Sequence, residues 1–387
     1  MKKVIIIGGG FAGLISAINI KNDYNEVIVL EKNNEVGSKI LVTGSGKCNY
    51  YNEDISLDKY HSTSNLKEYI DLFELAKTKD FYSSIGIIPY IRNGYYYPIT
   101  KDSKTIRDTL YNECISNNIK IITNFEVTDI KKVNNQYEVI GNDKLICDYL
   151  IISTGSKAYY KNTNTYDLLS KLKLKVEKPL PALVQLETKD KSYLKEWHGI
   201  RSEVKVSLYE NNKFIKEEVG EIQLTNYGIS GICVFNLSRY VSDGLSQNKK
   251  EEIIIDFVPE LSKKELEEYI IKYSYLDITN ILEKILNKKL VKIILSKSNK
   301  NVNNIIDNIK NFKVEIINTK DFNTSQTCIG GLSLDEVTPN FELKKYPNLF
   351  VIGELLDIDG DCGGYNIMFS TYSAIKCTNY IKEKNND

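Results

Sequence analysis

The sequence predicts an α/β protein in which a discontinuous parallel-sheet domain is interrupted by an inserted domain of β-strands and small helices. Three observations lead there. Short β-branched runs that end in glycine open and close the chain, Val4 to Ile7 before Gly8-Gly9-Gly10 and Asn348 to Ile352 before Gly353-Glu354, as suits strands buried on both faces. After Pro179-Leu180-Pro181 the texture changes to alternating segments such as Val204 to Tyr209, followed by the turn Glu210-Asn211-Asn212. Leu261 to Leu295 is then rich in helix formers with apolar residues at helical spacing, and glycines return near Cys328. The expected boundaries are 1–178 and 323–387 for the two parts of the outer domain and 179–322 for the insert.

Taken in order, Val4 to Ile7, a helix over Phe11 to Asn22 and a strand over Glu26 to Leu30 form a βαβ unit. Helices are expected over Thr63 to Lys77 and Ser103 to Asn117, and strands over Lys120 to Ile122 and Phe125 to Ile130. Tyr137 to Ile140 and Lys144 to Cys147 read as a hairpin through Gly141-Asn142-Asp143, and Tyr149 to Ser153 as a further strand. The opening Met1-Lys2-Lys3 with its apolar run resembles a signal peptide only superficially, because glycines end the run and no small-residue cleavage site follows.

The bulk numbers exclude several classes. Lys plus Arg and Asp plus Glu are both 51, so no global charge draws the chain to nucleic acid or anionic lipid. A local basic rim is still compatible with that balance. Lys, Asn, Ile and Tyr dominate in a way that reads as codon-driven, which lowers the weight of Lys runs. No apolar run is long enough to span a bilayer. The seven cysteines form no CxxC pair, which argues for a reducing, cytoplasmic setting and, with only two histidines, against zinc.

The chemistry sits in glycine-rich turns. Gly8-Gly9-Gly10-Phe11-Ala12-Gly13 is a G-x-G-x-x-G between a strand and a helix. Gly8 permits the turn, Gly10 lets a pyrophosphate approach the backbone and Gly13 allows close packing, with the helix start receiving the anion. Glu31 lies eighteen residues after Gly13 at the end of the next strand, placed to accept from the ribose hydroxyls of an adenosine. Lys32 follows it. A Gly, Thr, Ser and Lys loop comes next, in which Lys39, Thr43, Gly44, Gly46 and Lys47 can lay N–H and ammonium groups along an anionic cofactor. Val127 and the strand-end turn Thr154-Gly155 join the expected contacts. Near the end, Gly353-Glu354 offers a carboxylate suited to the ribityl hydroxyls that separate FAD from NAD. Gly364, Tyr365, Asn366 and Ile367 open a last helix whose N–H groups would face a flavin pyrimidine. The alternating Asp357, Asp359 and Asp361 lack the rest of a calcium loop. No metal is expected.

Together these blocks resemble the BaiN/RdsA-type NAD(P)/FAD-dependent oxidoreductases, also called the aminoacetone oxidase family. The matching pieces are Gly8 to Gly13, Lys39 to Asn49, Thr225 to Gly231, Gly330-Gly331-Leu332 and Gly353 to Asn366, in the right order along the whole chain. The resemblance implies a glutathione-reductase-like Rossmann FAD domain carrying a β-barrel and a small helical insert. The chain departs from the family at Lys47 and Tyr95 (Arg in the family), at Asn226 (His) and at Ile367-Met368-Phe369 (Leu-Gln-Trp).

The expected function is an FAD-dependent oxidoreductase, reduced by transiently bound NAD(P)H and passing hydride from flavin N5 to an unsaturated substrate. The resemblance implies a uracil of ribosomal RNA, giving dihydrouridine, or a small molecule such as an amine or ketone. A non-catalytic flavin sensor and an NAD-dependent dehydrogenase are the alternatives. Cys48 and Cys362, both inside cofactor motifs, are candidate proton donors. Lys47 and the helix start are expected to favour their thiolates, while a packing role for both thiols stands beside that reading.

Overall fold

The computed structural model describes residues 1–159, 165–299 and 301–386. It divides into two compact units, Met1–Pro179 with Thr327–Asp387, and Leu180–Gln326.

The first unit is built on a five-stranded sheet. Its order is Leu349–Val351, Tyr149–Ile152, Lys2–Ile7 (β1), Asn25–Leu30 (β2) and Lys120–Ile122, and every pairing is parallel. Helix α1 (Phe11–Ile20) joins β1 to β2, the kind of crossover that parallel neighbours require. Val4, Ile5, Ile6, Val29, Leu150, Ile151, Phe350 and Val351 are fully buried, which explains runs without alternation. The last helix, Tyr365–Asn386, packs on α1.

Most expected elements appear near their expected bounds. The hairpin through Gly141-Asn142-Asp143 forms, with Lys144 opposite Ile140, and Asp129–Val133 adds a third strand. Two expectations need correction. The single helix over Thr63 to Lys77 is instead a 3-10 turn, Leu66–Glu68, followed by helices Leu72–Ala76 and Thr78–Ser84. The cause is Asp71, whose side chain accepts from Phe73 N and Glu74 N and starts a new helix. The strand over Phe125 to Ile130 begins only at Asp129, because Phe125 N bonds to Glu31 O and leaves the ladder.

In the second unit six strands close into an antiparallel barrel. Their order is Leu186–Thr188, Gly228–Gly231, Lys213–Leu224, Arg201–Glu210, Glu251–Asp256 and Phe312–Thr319. Asn211 and Asn212 sit at φ +48° and +65°, the left-handed pair that a two-residue hairpin needs. Val204, Val206, Leu208, Ile253, Ile255 and Val314 alternate inward, and Val234, Leu237 and Val241 of helix Ile232–Ser246 join the same core. The expected helical stretch resolves into Lys263–Lys272, Ile278–Leu282 and Lys288–Lys297, the first opened by a Ser262–Glu265 capping box.

One barrel residue carries a pH consequence. Glu251 is buried, directly opposite Glu210, and neither carboxylate oxygen has a hydrogen-bond partner. Burial first, then Glu210 and Asp243, push its carboxyl up to about 7. The folded state therefore holds a proton that the unfolded chain releases near its ordinary value. That stabilisation is full below about pH 4.5 and is lost as pH rises through about 7. Glu251→Gln should remove this part of the decline. Between pH 5 and pH 8 its melting temperature should fall less than that of the native chain, by roughly 2–4 °C for about 1 kcal/mol left after solvent screening. Equal losses in both proteins would contradict the assignment.

Candidate cofactor site

The parallel sheet sends its strand ends to one edge. Ile7 is in register with Leu30 and with Ile152, and Ile152 with Val351. The loops after these residues meet around a cleft of about 1110 Å³, open solvent at its mouth included, lined wholly by the first unit. This is the position where open α/β sheets bind ligands.

The glycines are set by clearance. Gly8, at φ +103°, packs so tightly that a Cβ would lie 2.6 Å from Ser153 O. A Cβ on Gly13 would lie 1.9 Å from Gly8 O. Over Gly10 and Gly155 a Cβ would meet nothing within 4 Å. Two glycines thus close the turn while two face open space. Gly10 caps α1 without a side-chain bond, so the first-turn N–H groups are free for an anion.

Glu31 is 7 % exposed. Its Oε2 accepts from Gly9 N at 2.8 Å, and its Oε1 accepts from Asn33 N at 2.9 Å and Asn33 Nδ2 at 2.7 Å. The Lys39 ammonium pairs with the Glu354 carboxylate, which also accepts from Ser156 Oγ at 3.3 Å. Thr154 Oγ1 is buried without a partner. Open space over Gly10 and Gly155, free N–H groups and an orphaned hydroxyl fit a dinucleotide phosphate and ribose.

Of the residues singled out from sequence, Gly8, Gly10, Phe11, Ala12, Glu31, Lys32, Lys39, Thr43, Val127, Thr154, Gly155, Gly353, Glu354 and Ile367 line this cleft. Gly13 packs behind it. Gly44, Gly46, Lys47, Gly364, Tyr365 and Asn366 lie beyond its walls. The side chains of Tyr365 and Asn366 are turned to the protein. Tyr365 OH donates to Asp54 O at 3.0 Å, and the Asn366 amide exchanges two 2.9 Å bonds with the backbone of Gly360. Sequence reasoning missed Asn33, Phe125, Leu168 and Ser370 in the lining. Asn33, two residues after Glu31, could have been found as the carboxylate's second donor. Leu168 carries no sequence signal.

The thiolate expectation is corrected. Cys48 is fully buried and burial pushes its thiol up to about 12, against a smaller lowering by the Thr43 side chain. Lys47 points to solvent and does not offset this. Burial followed by the Asp361 carboxylate pushes the Cys362 thiol up to about 11. Both thiols are protonated at neutral pH.

The Rossmann-type fold and the comparisons with known proteins make the chain an FAD-dependent oxidoreductase. The chain belongs to the HI0933-like family: the family model described as HI0933-like protein Rossmann domain matches residues 2–380. It is 30 % identical over 96 % of both chains to a 3-dehydro-bile acid delta(4,6)-reductase of Clostridium scindens. It is 25 % identical, again over 96 % of both chains, to ribosomal RNA dihydrouridine synthases of Haemophilus influenzae and Escherichia coli. In fold it is similar to 3-ketosteroid delta1-dehydrogenase from Sterolibacterium denitrificans, with a TM-score of 0.53, 11 % identity and coverage of 99 % of this chain and 100 % of that one.

Glu31→Gln would turn a donor toward Gly9 N and remove the charge offered to the ribose. FAD binding, followed by quenching of flavin fluorescence, should weaken on the order of 10–100-fold. An unchanged Kd would contradict the assigned role.

Proposed function

We propose that the protein reduces a carbon–carbon double bond conjugated to a carbonyl, with NAD(P)H as electron donor. The observation that carries this reading is end-to-end similarity to reductases whose named substrates share that group. A 3-dehydro compound with 4,6 double bonds is an extended enone, and a uracil ring has its C5–C6 double bond beside a carbonyl. Bound FAD supplies a two-electron carrier for such a reaction. The chain's own contribution is to fix that carrier through Glu31, the Gly8–Gly10 turn and Glu354. The higher identity to the bile-acid reductase favours a small polycyclic enone. The two dihydrouridine synthases favour a uracil of ribosomal RNA as the second reading.

Among the described residues, the strand pairings within Leu180–Gln326 are antiparallel and build a barrel rather than a βαβ nucleotide site. This supports a nicotinamide that visits the flavin and leaves before the acceptor binds. Anaerobic NADH or NADPH should therefore bleach the yellow protein without acceptor. Adding a 3-oxo-4,6-diene steroid acid should restore the colour and consume the double bond, while a uridine-containing ribosomal RNA transcript tests the second reading. Reduced protein that leaves both acceptors unchanged would overturn the proposal.

A further inference from the structure

A hairpin of the first unit presents an exposed apolar face. Its strands, Pro89–Arg92 and Tyr95–Pro98, join through Asn93 and Gly94 at φ +51° and +79°, the left-handed pair of a two-residue turn. Tyr90 lies opposite Tyr97 and Arg92 opposite Tyr95, and Ile99 N donates to Ile88 O at 2.8 Å. Side chains alternate along a strand, so these six residues share one face. The other face is the buried one. There Tyr96 packs edge-on to Tyr51 with ring centroids 5.0 Å apart, and Pro98 is buried as well. On the outer face Ile88 is 62 % and Ile99 57 % exposed, and the three tyrosines are half-buried. Single exposed apolar side chains are ordinary, whereas a contiguous cross-strand set marks a binding surface.

Charge and position identify the partner. From Phe81 to Lys101 the chain carries no acid and two cations, Arg92 and Lys101, both exposed. Lys101 Nζ lies 3.7 Å from the centre of the Tyr90 ring. The face runs over the four residue steps from Ile88 to Arg92, about 13 Å at the usual strand rise. A long aromatic surface edged with positive charge complements a rigid apolar ring system that bears a carboxylate. A nucleic-acid strand is tracked by many cations along its backbone, and two do not supply that. The hairpin also adjoins the cofactor cleft on two sides. A Cβ on Gly363 would lie 2.7 Å from the Tyr95 ring, and Ile367, in the first turn of the helix that follows Gly363, lines the cleft. Tyr50 N donates to Tyr96 O at 3.0 Å, and the segment before Tyr50 leads back to Thr43, which also lines the cleft.

We propose that this hairpin face docks the acceptor, a flat polycyclic enone acid, with its rings on Ile88, Ile99, Tyr90 and Tyr97 and its carboxylate drawn by Arg92 and Lys101. The proposal rests on the polycyclic-enone reading, and it is tested by binding alone so that the two can fail separately. FAD-loaded protein, oxidised and without NAD(P)H, is titrated with a 3-oxo-4,6-diene steroid acid and with its methyl ester, and Kd is read by calorimetry. Ile88→Glu, at an exposed position, should weaken both compounds on the order of tenfold. Arg92→Glu combined with Lys101→Glu should weaken the acid about tenfold and leave the ester within about twofold. Both variants should keep their FAD and be bleached by NAD(P)H at the native rate, which separates docking from damage to the cleft. Native Kd values in both variants, or a native protein that binds neither compound, would overturn the proposal. So would a ribosomal RNA transcript whose binding falls in Ile88→Glu while that of the steroid acid does not, or a native dimer that Ile88→Glu dissociates with steroid binding unchanged. An acid that binds as described but is not reduced when NAD(P)H is added supports the docking face and overturns the reduction reading instead.

Discussion

Glu31 ends β2 with a carboxylate that is 7 % exposed and accepts three hydrogen bonds, from Gly9 N, Asn33 N and Asn33 Nδ2. A buried carboxylate is stable only with such donors. The backbone of the same residue joins the next strand, with Glu31 N bonded to Ile122 O and Phe125 N to Glu31 O. One residue therefore sets the glycine turn, the loop after β2 and the wall at Phe125 relative to one another. The free N–H groups of α1 point at a fixed place in the cleft because the turn before them is held from this side.

The C-terminal segment completes the site from the opposite side of the sheet edge. Gly353 N is held by Ser373 Oγ at 3.0 Å, and the start of the last helix is tied by Asn366 to Gly360 and by Tyr365 to Asp54. The Lys39–Glu354 pair then links the loop after β2 to the C-terminal acid. The cleft is thus lined by residues more than three hundred positions apart, all within one unit. The barrel has its own core around Trp197, whose Nε1 donates to Thr225 O at 2.8 Å.

Where backbone clearance decides the residue, the sequence was legible. Gly8 and Gly13 cannot be anything larger, so the turn could be read directly. Strands buried on both faces announced themselves as β-branched runs, and the Asn211-Asn212 turn announced the barrel hairpin. Legibility failed where a tertiary partner redirected a local preference. Phe125 to Val127 has strand composition, yet Phe125 N bonds to Glu31 O and the segment becomes a cleft wall. Asp71 split a helix that periodicity joined. Lys47 and Cys48 are adjacent in sequence, but Cys48 takes φ +55° and turns inward while Lys47 stays in solvent. Adjacency therefore said nothing about the thiol's electrostatics.

The central claim is that a cleft organised by Glu31 holds FAD without a covalent bond. It is tested most directly by purifying the protein and identifying the chromophore that acid or heat releases. The account predicts a yellow protein that yields intact FAD, close to one per chain, and a stripped protein that takes FAD up again. Colourless protein that takes up no FAD, or a flavin that stays with the denatured chain, would contradict it.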